Sequence, residues 1–203
     1  MLGRRSEELM DMSGKVFLVV VVGLVCLVAV LLIVWGATSY NKLVRQRNQV
    51  DAAWAQIDVQ LRRRYDLIPN LVETVKGYAA HERGTLDAVV QARNSAIAAT
   101  TAEPAARAQV ENALTQAVGR LFALAESYPT LKASANFLGL QTELGGTEDK
   151  IAYARQFYNS AVQTYNTSIQ SIPTNVIAGI GGFRGRELFQ AAEGERGPVA
   201  VRF

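Results

Sequence analysis

Side chains able to support acid–base, nucleophilic or metal chemistry are few in this sequence of 203 residues. His81 is the only histidine and Cys26 is the only cysteine. A catalytic triad, a histidine-paired thiol or a multi-histidine metal site within one chain would have to be built around His81 alone. A lone cysteine excludes an intrachain disulfide and a cysteine-based cluster. We therefore predict a non-enzymatic protein without catalytic residues, metal ligands or a cofactor.

Three consecutive arginines, Arg62, Arg63 and Arg64, are the densest charge cluster. Asp58 and Asp66 each lie four residues from Arg62, so helical ion pairs are expected. One interpretation is a charged helix face with one arginine tied into the protein. The alternative is a surface that binds acidic phospholipid headgroups or an acidic partner. Nucleic acid is not an expected partner, because a net charge of +3 gives a weak field.

Residues 16–35 form an apolar run, VFLVVVVGLVCLVAVLLIVW, without a charged or amide side chain. An apolar helix of about 20 residues spans a hydrocarbon core of about 30 Å with its backbone polar groups paired internally. We predict a transmembrane helix over residues 16–37. The side chains chosen as its anchor positions are Val16, Phe17, Leu24, Leu31 and Trp35. A cleaved signal peptide is the alternative, but its apolar core of about 7–15 residues is shorter than this run.

From Asn41 onward apolar residues recur three and four apart without strand-like alternation, which is typical of amphipathic helices. Two seven-residue series in the first helix form a seam of the coiled-coil type: Leu43, Val50 and Ile57, and Arg47, Trp54, Leu61 and Ile68. Pro69 has no backbone N–H and disfavours a helical conformation at Ile68. We therefore expect the first helix to kink or end there.

Three further helices are predicted. The second covers residues 70–99, the third begins at Pro104 and stops near Tyr128, and the fourth ends at Pro173. A bend or break is expected at Gly145 and Gly146. Four helices with short connections predict an up-and-down arrangement. The predicted fold class is therefore all-α, with an amino-terminal transmembrane helix that continues into a long antiparallel four-helix bundle.

Polar residues occupy seam positions of the fourth helix where leucine is usual, namely Gln141, Glu148 and Arg155. Buried charges are costly unless they are paired. We therefore predict that Glu148 and Arg155 meet partners on other helices and fix the register of the bundle.

The dipeptide Tyr-Asn occurs twice in the fourth helix, at Tyr158-Asn159 and at Tyr165-Asn166. The seven-residue spacing places both pairs on one line of the helix surface. Ordinary packing is one explanation. A hydrogen-bond ladder between helices or between subunits is the other.

The predicted organisation has four parts: a short polar tail over residues 1–15, the transmembrane helix over 16–37, the bundle over 38–173 and a Gly-rich apolar tail over 174–203. We expect the last part to be irregular and largely mobile, with one short hydrophobic element at residues 198–203. Alternatively, its apolar groups, which include Phe183, dock on a neighbouring subunit, on a partner or on the bilayer surface.

Much of the chain after residue 39 resembles the LemA family of bacterial membrane proteins. The resemblance is carried by YNKLV (40–44), AW (53–54), IDVQLRRRYDLIPNLV (57–72), VKGY (75–78), HE (81–82), AR (92–93), YPTLKA (128–133), NF (136–137), LQ (140–141), EL (143–144), Glu148, IAYAR (151–155), YN (158–159 and 165–166), Pro173 and Phe183.

This resemblance implies an amino-terminal anchor followed by a long antiparallel helical bundle, without an established catalytic activity. The family is also similar to a magnetosome-membrane protein, which suggests a role in membrane organisation or envelope maintenance. The expected location is the bacterial cytoplasmic (inner) membrane, crossed once. Three basic residues precede the membrane helix and three follow it closely, so the charges are balanced. A short basic tail kept in the cytoplasm favours an extracytoplasmic carboxy terminus.

Our functional hypothesis is a membrane-anchored helical scaffold that self-associates and organises the membrane or envelope complexes. A seam that runs on from a transmembrane helix motivates it. The lipid bilayer and further copies of the chain are the expected partners, and other envelope membrane proteins are a second class. The alternative is a regulatory adaptor of a membrane protease or sensor that does not self-assemble.

Overall fold

The computed structural model describes the backbone of residues 2–190 and the side chains of residues 17–190. Its helices are α1 (Leu2–Lys76), α2 (Arg83–Ala98), α3 (Pro104–Ala125), α4 (Pro129–Lys132), α5 (Ala135–Gln170) and α6 (Thr174–Ile180), with a 3₁₀ turn at Ala99–Thr101. Residues 2–190 contain no strand, so the all-α class is confirmed for the described part of the chain. The predicted hydrophobic element at residues 198–203 and the side chain of Val16 lie outside the described residues.

The described chain packs as two compact units. Among the described residues, the first contains residues 2–45 and Ser168–Arg184, and the second contains Gln46–Thr167 and residues 185–190. Helices α1 and α5 contribute residues to both units.

The first helix does not end near Ile68, as the sequence predicted, but continues through Pro69 to Lys76. Pro69 cannot donate the helical hydrogen bond to the carbonyl oxygen of Tyr65, four residues earlier. Arg93 of α2 replaces that donor, because its Nε donates to the Tyr65 oxygen at 2.7 Å. The side chains of Ile68 and Leu71, which flank the proline in the sequence, are fully buried. A neighbouring helix therefore stabilises a backbone that local propensity disfavours.

Two other predicted boundaries are also wrong. The second helix begins at Arg83 rather than at residue 70, because α1 occupies residues 70–76. Helix α5 runs unbroken through Gly145 and Gly146. Leu144 and Thr147, which flank the two glycines, are both buried. Packing of this face outweighs a helix-propensity cost of about 1 kcal/mol for each glycine.

Inside the second unit, contacts between α1 and its neighbours define the relative directions of three helices. Trp54 contacts Tyr158, and ten residues later Arg64 reaches Glu148, so α5 runs opposite to α1. Asp58 pairs with Arg107 of α3, and Tyr65 bonds Glu111 one turn further along it, so α3 runs in the same direction as α1. The apolar core between these helices includes Ile57, Leu61, Leu114, Leu121, Ile151 and Val162.

The first unit contains an apolar stretch of α1 and the short helix α6. An 18-residue window near the start of the described side chains has a mean hydropathy of 3.5 and is long and apolar enough to cross a membrane, and none of it is buried. Phe17, Leu24 and Leu31 are exposed, and Trp35 lies at the end of the apolar run.

Part of the predicted irregular tail is ordered structure in this unit. Residues 174–180 form α6, and a Cβ on Gly36 of α1 would lie only 3.7 Å from Cδ1 of Ile177. The ring of Phe183 packs edge-on against Tyr40, with 5.4 Å between ring centroids. These contacts fix α6 beside the residues that directly follow the apolar run.

The contact between Arg93 and the Tyr65 carbonyl predicts non-additive stability effects. Arg93→Ala should lower the free energy of unfolding by about 1–3 kcal/mol, because it leaves a buried carbonyl without a donor. In a Pro69→Ala background the loss should be smaller, because the new backbone N–H at residue 69 supplies a donor. Urea unfolding followed by circular dichroism measures both. Arg83→Ala, at an exposed position of α2, is the control. Equal losses from Arg93→Ala in the two backgrounds would contradict the inference that Arg93 replaces the backbone donor missing at Pro69.

Candidate functional site

A buried ionic cluster lies where α1, α3 and α5 meet, and consists of Arg64, Tyr65, Glu111, Glu148 and Arg155. Arg64 is 1% exposed and Glu111 is 3% exposed. The Arg64 guanidinium places Nε 3.1 Å from a carboxylate oxygen of Glu148 and Nη1 3.9 Å from Oε2 of Glu111. Its Nη2 donates to the hydroxyl of Thr115 at 2.8 Å and to the backbone carbonyl of Glu111 at 3.3 Å. One arginine of α1 thus binds both neighbouring helices.

Burial dominates the protonation equilibria of this cluster. It raises the pKa of Glu111, although Arg64, Arg107 and the hydroxyl of Tyr65 act in the opposite direction. It also raises the pKa of Glu148 and lowers the pKa of Arg155. The pKa of Tyr65 is raised by burial and by its hydrogen bond to Glu111. Removal from water therefore disfavours the charged forms of Glu111, Glu148 and Arg155, and the nearby opposite charges compensate this cost only in part.

A second buried guanidinium extends the network along α1. Arg107 of α3 is fully buried and pairs with Asp58, with 2.6 Å between Nη2 and Oδ1. Its guanidinium carbon also lies 5.3 Å from the centre of the Trp54 ring, a distance at which cation–π attraction operates. Asp58 additionally binds Arg62 at 2.9 Å. Trp54 therefore contacts a buried cation that is itself paired with Asp58.

The residues after the first unit return to α5 as an extended segment, which we call the strap (residues 185–190). Asn166 and the backbone of Arg186 exchange two hydrogen bonds of 2.8 and 2.9 Å. Asn159 and the backbone of Phe189 exchange two more, of 2.8 and 3.4 Å. The hydroxyl of Tyr158 donates to the carbonyl of Glu187 at 2.9 Å, and burial raises the pKa of Tyr158 to about 12. Tyr158, Asn159 and Asn166 of the two Tyr-Asn repeats therefore form a hydrogen-bond ladder with the tail of the same chain.

The sequence-predicted residues divide between buried and exposed positions. The three arginines have different environments: Arg64 is buried, Arg62 pairs with Asp58 at the surface, and Arg63 is exposed. Arg64 is therefore not available to a lipid headgroup or an acidic partner. Glu148 meets Arg64 of another helix, whereas Gln141 is exposed. Of the remaining candidates, Tyr158, Tyr165 and Phe183 are buried, Trp54, Arg155, Asn159 and Asn166 are half-buried, and Pro69 is exposed.

Sequence reasoning missed two central members of the network, Arg107 and Glu111. A signal for them was present, because Arg107, Glu111, Leu114, Val118 and Leu121 follow the alternating four- and three-residue spacing of a buried helix face. The burial of Phe189 was also missed, since nothing in the sequence of the tail showed which helix would receive it.

The cluster contains no nucleophile paired with a base, and its charged groups neutralise one another. Among the described residues no group of three or more histidine, cysteine, aspartate or glutamate side chains could hold a metal ion. One cavity of about 500 Å³ lies on the outer surface between α1 and α5, and its lining includes Val59, Gln60, Asp149 and Tyr153. The second, of about 420 Å³, lies beside the strap and includes Asp51, Trp54 and Arg186. The contacts described for this arrangement are ion pairs and hydrogen bonds within the chain.

The sequence matches the model of the LemA family over residues 53–203. The match covers more than half of the chain and includes α3, α5, both Tyr-Asn repeats and the strap. The chain therefore belongs to the LemA family.

Three similar proteins support this membership. Magnetosome protein MamQ 2 of Paramagnetospirillum magneticum is 30% identical over 176 residues, which cover 74% of this chain and 64% of that protein. Magnetosome protein MamQ of Magnetospirillum gryphiswaldense is 27% identical, covering 87% and 73%, and Protein LemA of Metamycoplasma hominis is 28% identical, covering 77% and 71%. The chain spans less than two thirds of the length of the P. magneticum relative. A membrane-associated protein with one amino-terminal apolar helix is the class that these relatives and the structure suggest.

The raised pKa of Glu111 predicts how stability depends on pH. Since its folded-state pKa exceeds the unfolded value of about 4.3, the unfolded state binds fewer protons, and stability falls as pH rises through this window. We therefore compare the free energy of unfolding of the native chain with that of Glu111→Gln. The native value minus the variant value should decrease above about pH 4.3, by about 1.4 kcal/mol for each unit by which the folded-state pKa of Glu111 exceeds its unfolded-state pKa.

Denaturant unfolding at several pH values from 4 to 8 measures this difference. Glu143→Gln, at an exposed position of α5, controls for the loss of one negative charge. A difference that instead grows with pH would mean that Arg64 and Arg107 outweigh the burial of Glu111.

Proposed function

We propose that this LemA family protein is a non-enzymatic scaffold that self-associates in the bacterial inner membrane. The observation that carries the proposal is the exposed apolar surface of α1 between Phe17 and Trp35, on a helix that continues without a break into a helical domain. So large an exposed apolar surface is stable only in contact with lipid or protein. We further propose that residues 16–37 span the bilayer, that the four long helices form an antiparallel bundle, and that the carboxy terminus is extracytoplasmic.

The short helix α6 supports contact with the bilayer at a second place. Val176 and Ile180, four residues apart on α6, are 58% and 83% exposed, and Ile172 just before the helix is 86% exposed. Ile177, on the same helix, packs against Gly36 at the end of the apolar run. An apolar strip held beside the end of a membrane span lies at the depth of the headgroup and acyl boundary. We therefore assign the bilayer surface as the partner of this strip.

The buried ionic cluster supports a structural rather than a catalytic role. Each of its charges has an opposite charge nearby, so substrate binding would have to displace an internal partner. We propose that this network specifies the alignment of α1, α3 and α5. A scaffold needs such alignment, because the surfaces that it presents must keep a fixed register.

A second candidate function, a regulatory adaptor without self-assembly, is favoured by one observation. The outer cavity between α1 and α5 is lined by the exposed side chains Val59 and Tyr153. Apolar clefts of this size accept side chains of a partner. An adaptor would be a single copy bound to another membrane protein.

Light scattering on the full chain in a mild detergent separates these two functions. The scaffold predicts a discrete protein mass that is a multiple of 22.1 kDa. Cys26→Ser should give the same mass, which shows that no intermolecular disulfide holds the assembly together. A single-copy mass at all concentrations would overturn self-association and leave the adaptor as the function.

The assignment of α6 to the bilayer surface is tested by measuring the depth of fluorescent labels in lipid vesicles. In a Cys26→Ser background, single cysteines replace Val176 or Leu24 and carry an environment-sensitive dye. The label at residue 176 should be quenched best by nitroxides near the headgroups, and the label at residue 24 by nitroxides deep in the acyl region.

Tyr153→Cys is the matched control, because this exposed position lies on α5 in the other unit. Quenching at residue 176 no stronger than at residue 153 would contradict lipid contact by α6. Strong quenching at residue 24 in the same vesicles would still establish the anchor.

A further inference from the structure

The positive charge of this chain is concentrated in the first unit. The sequence has 21 basic and 18 acidic residues. Lys42, Arg45 and Arg184 account for the whole excess, because basic and acidic residues balance in the remainder of the sequence. Residues 17–45 and 168–184, whose side chains are the described ones of this unit, include no aspartate or glutamate. A net charge that is weak for the whole chain is therefore dense beside the apolar run.

All three of these cations are available to an external anion. Each is exposed, and none takes part in an ion pair among the described residues. By contrast, Arg64 and Arg107 are buried against carboxylates, and Arg186 pairs with Asp51. An anion that approaches the three cations would not have to displace a described carboxylate.

Two of the cations follow the apolar run at a distance that suits the headgroup layer. The proposed span ends at residue 37, so Lys42 and Arg45 lie five and eight residues beyond it, about 7.5 and 12 Å along α1. Side chains of an α-helix lean towards its amino terminus, which here is the direction of the apolar run. Both charges therefore lie within about one Debye length, about 8 Å at physiological ionic strength, of the headgroups.

An aromatic contact brings the third cation to the same end of the apolar run. Phe183 packs edge-on against Tyr40, with 5.4 Å between ring centroids, and Arg184 is the next residue. The approach is close, because a Cβ on Gly181 would lie only 3.1 Å from Cε2 of Tyr40. Tyrosine is itself enriched at membrane–water interfaces. The fold thus adds to α1 a juxtamembrane charge from a distant part of the sequence.

The three cations surround α1, and we call them the basic collar (Lys42, Arg45 and Arg184). At about 100° for each helical residue, Lys42 and Arg45 lie about 200° and 140° around the helix from Tyr40. They therefore occupy the side opposite to Tyr40, whereas Arg184 follows the residue that packs on Tyr40. Charges spread around one helix fit several small headgroups better than they fit a single face of an acidic protein.

We propose that the basic collar binds anionic phospholipid headgroups and holds these lipids around α1 in preference to zwitterionic lipids. The proposal rests on the membrane span proposed above and adds the class of lipid that the protein selects. Charge complementarity supports it, because a lysine or arginine close to an anionic bilayer surface strengthens binding about fivefold. Val176 and Ile180 of α6 supply the apolar contact that accompanies the charges at this boundary.

Spin-labelled lipids test the proposal with the full chain reconstituted in phosphatidylcholine vesicles. The fraction of label whose motion the protein restricts is measured for a nitroxide-labelled phosphatidylglycerol and for a nitroxide-labelled phosphatidylcholine. The wild type should bind the anionic lipid about fivefold more strongly than the zwitterionic lipid. Lys42→Gln with Arg45→Gln and Arg184→Gln should bind the two lipids equally. In 1 M salt, where the Debye length is about 3 Å, the wild type should also lose most of its preference.

A matched control removes the same charge from the other unit. Arg63→Gln with Arg83→Gln and Arg120→Gln changes three exposed cations of the second unit and should keep the wild-type preference. Equal loss in this control would assign the preference to net charge and overturn the collar.

The remaining outcomes separate the collar from the membrane span. Restricted motion of both lipids without a preference in the wild type, or an unchanged preference in the collar variant, would overturn the collar while the span stands. If the wild type restricts neither lipid, the span and the collar both fall.

Discussion

A guanidinium buried among three helices needs anionic partners in fixed positions, and the arrangement of this protein follows from meeting that need for Arg64. Its charge can leave water only because Glu148 of α5 and Glu111 of α3 approach it together with neutral acceptors. A shift of any one helix by a single turn would leave a buried charge without its partner. The apolar core supplies the stabilisation of this unit, and we propose that the ionic cluster selects one register of the helices. The strap depends on the alignment of the same helices, since it contacts both α1 and α5.

Much of this organisation could be predicted from the sequence, because helix periodicity and membrane-length apolar runs are local signals. The apolar run at residues 16–35, the seam residues Leu43, Val50 and Ile57, and the helix start at Pro104 are all readable without tertiary information. The pairing of Glu148 with another helix followed from the cost of an unpaired charge. These features share one property: each depends on residues within a few helical turns.

The features that could not be predicted depend on contacts between distant residues. The local sequence around Pro69 predicts a helix end. The reason that α1 continues is a hydrogen bond from Arg93, which lies on another helix. Gly145 and Gly146 read as a break, and only the buried neighbours Leu144 and Thr147 show why there is none. The strap reads as an irregular tail, because its hydrogen-bonding partners lie in α5, about 20 to 30 residues earlier in the chain. Arg107 and Glu111 could be predicted only in part. Their spacing indicates a buried helix face, whereas their charge suggests an exposed one.

The positions of the two tryptophans have a consequence for spectroscopy. Trp35 closes the exposed apolar run, whereas Trp54 lies close to the Arg107 guanidinium and to the rings of Tyr158 and Phe189. A cation close to an indole face alters its excited state, and removal of an adjacent aromatic ring opens that indole to water. The chain therefore carries two intrinsic optical reporters, one at the end of the apolar run and one beside Phe189 of the strap. Replacement of either tryptophan by phenylalanine would isolate the emission of the other, without any added probe.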